Sequence, residues 1–186
     1  FWDSGKITSS RSSQVGYEGK PLDSRQTLYW KAMVWDEAGE ASPWSETGRW
    51  TMGLLEPSDW TARWIGNRED AYPDSTLTTP APYFRKTSRI NKPVKQAKAY
   101  ICGLGFYEMY LNGERVGDQV LAPAVTNFDR RPLKKMLYFF DDQSNQRVLY
   151  NTFDVTSLVQ KAENTVGVLL GNGWYNQRDR TVEGCM

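Results

Sequence analysis

An all-β fold of two packed β-sandwich domains is predicted for this chain, and three observations predict it. Apolar and polar residues alternate over short runs, the pattern of half-buried strands. Turn formers separate these runs, and the clearest turn is Asn112-Gly113 between two alternating segments. No stretch sustains the 3.6-residue period of a long amphipathic helix.

The first domain is expected in residues 1–55. Its best strand is 28–36, LYWKAMVWD, whose alternation puts Trp30, Ala32 and Val34 on one face that should be buried. Glu37-Ala38-Gly39-Glu40 then turns the chain, and 45–52 returns as the antiparallel partner. Short strands spaced by turns suggest a sandwich of the immunoglobulin or fibronectin type III kind. A full domain of that kind takes about 100 residues, so 1–55 reads as a partial one. Residues 56–68 hold Trp60 and Trp64 in a compact stretch and read as a packed joint, not a flexible linker.

The second domain is expected in 69–186. Residues 69–81 are rich in Pro, Asp, Ser and Thr and predict a surface loop, followed by strands at 83–90 and 95–103. The segment 99–118, AYICGLGFYEMYLNGERVGD, predicts a β-hairpin. Tyr107, Met109 and Leu111 share one face, and Phe106, Glu108 and Tyr110 share the other. Asn112-Gly113 supplies the two positive φ values of a type I′ turn. A hairpin with aromatic residues on both faces needs a larger sheet with at least one face covered. Segment 121–129, LAPAVTNFD, follows, and 130–146, with Lys134, Lys135, Asp141 and Asp142 around an apolar run, reads as an extended hairpin or insertion. In 151–159, Asp154-Val155-Thr156 marks a turn and a short helical or 3-10 piece. Glu163-Asn164 turns the chain into a strand at 165–170, and Gly171-Asn172-Gly173 ends it.

Composition narrows the function. Of 186 residues 39% are hydrophobic, enough for real cores. With 23 basic and 22 acidic residues the net charge is +1, which offers no footprint for nucleic acid or an anionic membrane and favours a neutral partner. Eight Trp and ten Tyr supply flat apolar faces with polar edges, suited to sandwich cores and to stacking on sugar rings. The chain has no histidine, and Cys102 and Cys185 show no metal-ligand spacing, so a zinc site, a Ser-His-Asp triad and a Cys-His dyad are excluded within it. No apolar run reaches the roughly 18 residues that span a bilayer, and FWDSGK lacks the regions of a signal peptide. The sequence reads as a fragment, starting in what looks like a strand and stopping soon after another strand signal.

An ordered set of motifs resembles the N-terminal region of bacterial α-L-rhamnosidases. The set runs from Asp59-Trp60 with Trp64-Ile65-Gly66, through Pro82-Tyr83-Phe84-Arg85-Lys86, Gly103-Leu104-Gly105-Phe106-Tyr107-Glu108 and Leu111-Asn112-Gly113. It continues with Val116-Gly117-Asp118, Leu121-Ala122-Pro123, Phe153-Asp154-Val155-Thr156 and Leu170-Gly171-Asn172-Gly173-Trp174-Tyr175. Trp35-Asp36, Trp44-Ser45-Glu46 and Gly53-Leu54-Leu55 resemble the end of the fibronectin-like domain that opens many of those enzymes. The extra stretch after Arg131 departs from the family pattern and shifts the local register. The resemblance implies a jelly-roll-like second sandwich that is truncated at its C-terminus. It also implies an (α/α)6 catalytic barrel downstream, whose carboxylates act as general acid and base; no catalytic residue is assigned here. An extracellular or periplasmic setting is favoured over a cytoplasmic one.

Sandwich domains of this family sometimes bind sugar, including L-rhamnose with calcium. The resemblance therefore points to rhamnose-containing glycans or glycosides as partners, beside the downstream catalytic domain. Candidate sugar-binding residues are Asn127, Asn172, Trp174, Tyr175 and Asn176, with Asn127 and Asp129 as oxygen ligands for calcium. Gly171 and Gly173 let the backbone approach a ligand closely. The competing reading makes Asn172-Gly173 a turn and Trp174 a plug at the end of the sandwich. Three functions stay open: an accessory region of a glycoside hydrolase, an autonomous carbohydrate-binding module, and a fibronectin-like interaction protein.

Overall fold

The computed structural model describes residues 2–9, 13, 15–66, 81–124, 148–171 and 173. They fold as antiparallel β structure with one short 3-10 turn and no α-helix among the described residues. The chain divides into two compact units, Phe1–Ile65 and Gly66–Met186.

In the first unit β1 (Thr27–Trp30) pairs with β2 (Gly48–Thr51), setting Leu28 opposite Trp50 and Trp30 opposite Gly48. Leu28 is buried. The long strand expected at 28–36 stops at Trp30, and serine side chains explain why. Ala32 N–H donates to Ser45 Oγ at 3.0 Å and Val34 N–H to Ser42 Oγ at 3.1 Å, so hydroxyls take the place of ladder carbonyls. Backbone pairing resumes at Trp35 and Ala41, around a turn in which Gly39 has φ +84° and Asp36 Oδ1 accepts Glu40 N–H at 2.8 Å. The expectation that Trp30, Ala32 and Val34 form a buried face is corrected: Trp30 is 47% and Val34 67% exposed, and Ala32 is exposed too. No second sheet covers that face among the described residues of this unit. Residues 2–9 also carry no strand, against the expectation of one at the start.

The turn Pro57–Asp59 is tied back to this unit by Asp59. Its carboxylate accepts from Ser24 Oγ and from Glu56 N–H (3.1 Å) and pairs with Arg25 at 3.3 Å. These partners hold the Asp59 carboxyl below the ordinary range, with the Ser24 hydrogen bond the largest cause. Trp64 and Ile65 beyond it are exposed.

The second unit holds a four-stranded sheet in the order β3-β8-β5-β6 and a two-stranded sheet of β4 and β7. The strands are β3 (Tyr83–Ile90), β4 (Lys98–Ile101), β5 (Phe106–Leu111), β6 (Glu114–Arg115), β7 (Asn151–Asp154) and β8 (Ala162–Gly171). The period-2 alternation carries into burial: Tyr107, Met109 and Leu111 of β5 are buried. Val166, Val168 and Leu170 of β8 pack against them, as do Ala99 and Ile101 of β4 and Phe153 of β7. The core thus fills the space between the inner face of the larger sheet and the β4–β7 pair.

Asn112 and Gly113, at φ +55° and +89°, make the two-residue turn between β5 and β6 that positive φ at both positions requires. The expected turn at Glu163-Asn164 is corrected, because both residues lie inside β8, opposite Arg89 and Ser88. The chain reverses earlier, where Leu158 and Val159 N–H both reach Val155 O. Asn164 is the buried polar residue of the described core. Its Oδ1 accepts Asn112 Nδ2 (2.9 Å) and Gln160 N–H (2.8 Å), while its Nδ2 donates to Gln160 O (2.7 Å) and Ala162 O (3.2 Å). Asn112 Oδ1 in turn accepts Thr165 N–H at 2.8 Å, so the hairpin tip is pinned to the start of β8.

Candidate functional site

Three chain segments meet at the start of β5. Tyr107 pairs with Leu170 of β8 on one side and forms an isolated bridge to Ala122 on the other, where its N–H donates to Ala122 O at 2.8 Å. Phe106 pairs with Gly171, the last residue of β8. Gly173, at φ +51°, lies so close to the preceding turn that a Cβ there would stand 2.9 Å from Gly105 Cα and 3.0 Å from Phe106 N. Only glycine fits that seat, since the obstacle is backbone. The described roots of the 121–129 segment and of the loop after β8 therefore flank the same strand end. Asn127, Asp129, Asn172, Trp174, Tyr175 and Asn176 themselves lie outside the described residues, as does the whole of 130–146.

A chain of polar groups runs from this end of β5. Tyr107 hydroxyl donates to Asn151 Oδ1 at 2.8 Å, Asn151 Nδ2 donates to Gln119 Oε1 at 3.1 Å, and Arg115 reaches Gln119 O at 2.8 Å. Burial, with the neighbouring Cys102 adding to it, pushes the Tyr107 phenol up to about 12, so it is a neutral donor across the ordinary pH range. Cys102 donates its S–H to Leu149 O at 3.3 Å, and burial pushes its thiol up, away from the reactive thiolate. The Tyr107–Asn151–Gln119 chain was missed in the sequence; an inward-facing tyrosine in an alternating strand is the signal, because its buried hydroxyl needs a partner.

At the other end of the β4–β7 pair, a depression of about 490 Å³ is lined by Lys95, Gln96, Asp154 and Thr156. Its polar groups stitch the strands together. Thr156 Oγ1 donates to Asp154 Oδ1 at 2.6 Å and accepts Ala97 N–H at 2.9 Å, and Thr156 N–H donates to Asp154 Oδ1 at 3.0 Å. Among the described residues no group of three or more His, Cys, Asp or Glu side chains converges as metal ligands would. No described helix is long and apolar enough to cross a membrane.

Comparison with known proteins follows the division into two units. Residues 1–56 match the family model described as "Rha78A-like, N-terminal immunoglobulin domain". Residues 92–139 and 140–184 match "Alpha-L-rhamnosidase N-terminal domain". An α-L-rhamnosidase of Formosa agariphila is 39% identical over 95% of this chain, and one of Alteromonas sp. is 36% identical over 95%. The chain spans 19% and 18% of their lengths, about a fifth of each. Among solved structures, an α-L-rhamnosidase from Dictyoglumus thermophilum matches with a TM-score of 0.74 at 36% identity, over 94% of this chain and 19% of its own. One from Aspergillus terreus matches with a TM-score of 0.70 at 30% identity, over 95% and 18%.

Proposed function

The chain belongs to the α-L-rhamnosidase N-terminal domain family, and from that premise we propose that it is a non-catalytic accessory region that scaffolds the catalytic domain of such an enzyme. The observation that carries this reading is one of extent: similarity runs along 95% of this chain and takes up about a fifth of each relative. Three of the described carboxylates fit the reading. Asp59, Glu108 and Asp154 are each committed to local hydrogen bonds, and none is presented as half of an acid–base pair across a cleft. In finer architecture, the β3-β8-β5-β6 sheet and the β4–β7 pair are the two layers of a jelly-roll-like sandwich, supported by the core between them. The β1–β2 unit is the partial fibronectin type III-like domain before it, joined through 56–68.

The test separates scaffold from catalyst. The purified 186-residue chain is expected to leave p-nitrophenyl α-L-rhamnopyranoside intact. Mixed with the separately expressed remainder of a homologous enzyme, it is expected to raise the activity and thermal midpoint of that remainder. Turnover by the chain alone, or a remainder indifferent to it, would refute the scaffolding role.

A second reading adds a sugar site made by Asn172, Trp174, Tyr175 and Asn176 with Asn127, and with Asp129 and Asn127 toward calcium. What favours it is the common origin of the two segments: Ala122 and Gly171 flank adjacent residues of β5. Calorimetric titration with L-rhamnose, with and without calcium, checks it. Trp174→Ala is expected to abolish the heat.

A further inference from the structure

The outward face of the four-stranded sheet carries a feature that neither the core nor the loop site uses. Because Val166, Val168 and Leu170 pack inward, Thr165, Gly167 and Leu169 point away from the core. The strand registers then lay two rows across that face. One is Tyr83, Leu169 and Glu108; the next is Arg85, Gly167, Tyr110 and Arg115. Arg85 and Tyr110 stand on strands separated by about 9.6 Å, twice the strand spacing, with Gly167 between them.

Gly167 is the anomaly. A glycine inside a strand weakens it. Gly48, Gly103 and Gly117 each make room for a ring: an added Cβ would stand 2.4, 2.9 and 2.6 Å from Trp30, Tyr107 and Phe153 respectively. Among the described residues a Cβ on Gly167 would meet only Tyr110 Cβ, at an ordinary 3.9 Å, and its φ is not in the left-handed region. Neither packing nor backbone demands a glycine there. A bare mid-strand position that no described side chain fills is how a sheet admits the close approach of a ligand.

The surrounding groups say which ligand. Tyr83 is 80% exposed and Arg85 is exposed beside it. On the far side Tyr110 hydroxyl donates to Glu108 Oε2 at 2.8 Å, and Arg115 pairs with Glu108 Oε1 at 3.3 Å. Aromatic faces next to two guanidinium donors and one carboxylate acceptor match a molecule with an apolar ring face and vicinal hydroxyls that both give and accept hydrogen bonds. An anion would have to sit beside the fixed Glu108 carboxylate, and an apolar protein surface would cover the Arg85 charge without pairing it. We propose that this part of the sheet face is a binding site for one neutral pyranoside ring lying over Gly167, between Tyr83 and Arg85 on β3 and Tyr110, Glu108 and Arg115 opposite. The site is independent of the scaffolding role and of the loop residues.

The 186-residue chain, labelled with nitrogen-15, is titrated with methyl α-L-rhamnopyranoside, methyl α-D-mannopyranoside and methyl β-D-galactopyranoside. At least one probe is expected to shift the amides of Arg85, Gly167 and Tyr110 saturably. Gly167→Val puts a strand-favouring side chain on the bare position; it is expected to weaken binding by about tenfold or more while amide-exchange protection in β8 holds or rises. Arg85→Ala, at an exposed edge position, is expected to weaken binding by a similar factor, so the test survives if the valine variant loses its fold. Trp174→Ala is expected to leave these shifts intact, which separates this site from the loop site. No saturable shift with any probe, undiminished affinity in folded Gly167→Val, or wild-type affinity in Arg85→Ala would overturn the proposal. So would self-association through this face that Gly167→Val abolishes, without sugar binding.

Discussion

Asn164→Ala deletes the side chain that holds the crossover turn against the hairpin tip, and its cost can be worked from the four hydrogen bonds it makes. Asn164 is 3% exposed. Alanine strands the N–H and C=O of Gln160, which Asn164 now serves at 2.8 and 2.7 Å. Asn112 Nδ2 loses one acceptor but keeps Leu158 O at 2.8 Å, and the 3.2 Å bond to Ala162 O is the weakest of the set. Gln160 itself lies at the surface, so water reaches part of the gap and the lower end of the range for orphaned groups applies. The sum is about 2 kcal/mol, a sizeable share of the stability of a domain. Seven of the eight tryptophans precede the second unit, so fluorescence is the wrong probe. Native-state amide exchange in β5 and β8 reads the local free energy directly, and about 2 kcal/mol corresponds to a thirtyfold loss of protection, roughly. Asn164→Asp sharpens the test, because it places an oxygen where Nδ2 faces two carbonyls. Its cost should exceed that of alanine at neutral pH. In acid the carboxyl regains a proton to donate, its folded-state pKa is therefore raised, and the deficit shrinks as pH falls through that value. A loss below about 0.5 kcal/mol in Asn164→Ala, the size of an ordinary surface change, would refute the reasoning. So would an aspartate variant milder than alanine at neutral pH.

Three further outcomes are expected. Gly173→Ala, with positive φ and backbone 2.9 Å from the new Cβ, should cost more than about 1 kcal/mol and lower the exchange protection of the Tyr107 amide. Tyr107→Phe removes the bond to Asn151 and should cost about 1 kcal/mol by the same measurement. In the native protein the raised Tyr107 phenol contributes stability that is complete below about pH 10 and is lost as pH rises toward about 12; the phenylalanine variant should lack that alkaline step. Asp59, lowered in the folded state chiefly by Ser24, contributes stability present above about pH 4 and lost as pH falls through its folded value, so Asp59→Asn should flatten the acid limb of a tryptophan-fluorescence titration.

Much of the second unit is legible from alternation alone. β3 begins and ends where the pattern changes, at Tyr83 and Ile90, and the Asn112-Gly113 turn follows from the need for two positive φ values. Alternation overstates β1, because a periodic pattern cannot register that Ser42 and Ser45 hydroxyls stand in for ladder carbonyls. Asn164 looks like a turn residue in sequence; its role as a buried amide appears only when Asn112, 52 positions away, is brought beside it. The site chemistry divides the same way. Trp174 and Tyr175 can be nominated by residue type, whereas Gly167 gains meaning only from register, which shows what stands on either side of it and that no described side chain fills its place.

The position of β3 at the rim of its sheet has a consequence for how this chain behaves in concentrated solution. Among the described residues its outer edge pairs with no strand, and alternate residues of this eight-residue strand leave their N–H and C=O groups open there, a template on which a second copy can extend the sheet. Arg85, Lys86 and Arg89 oppose that event. An antiparallel meeting of two copies centred on Thr87 would set Arg85 directly against Arg89 twice, like charges in the positions where cross-strand repulsion is strongest. The protection is electrostatic, so it weakens as salt shortens the screening length to about 3 Å near molar ionic strength. Sheet-extended oligomers should therefore appear on raising salt, and replacing the three basic residues with threonine should bring them out in dilute buffer.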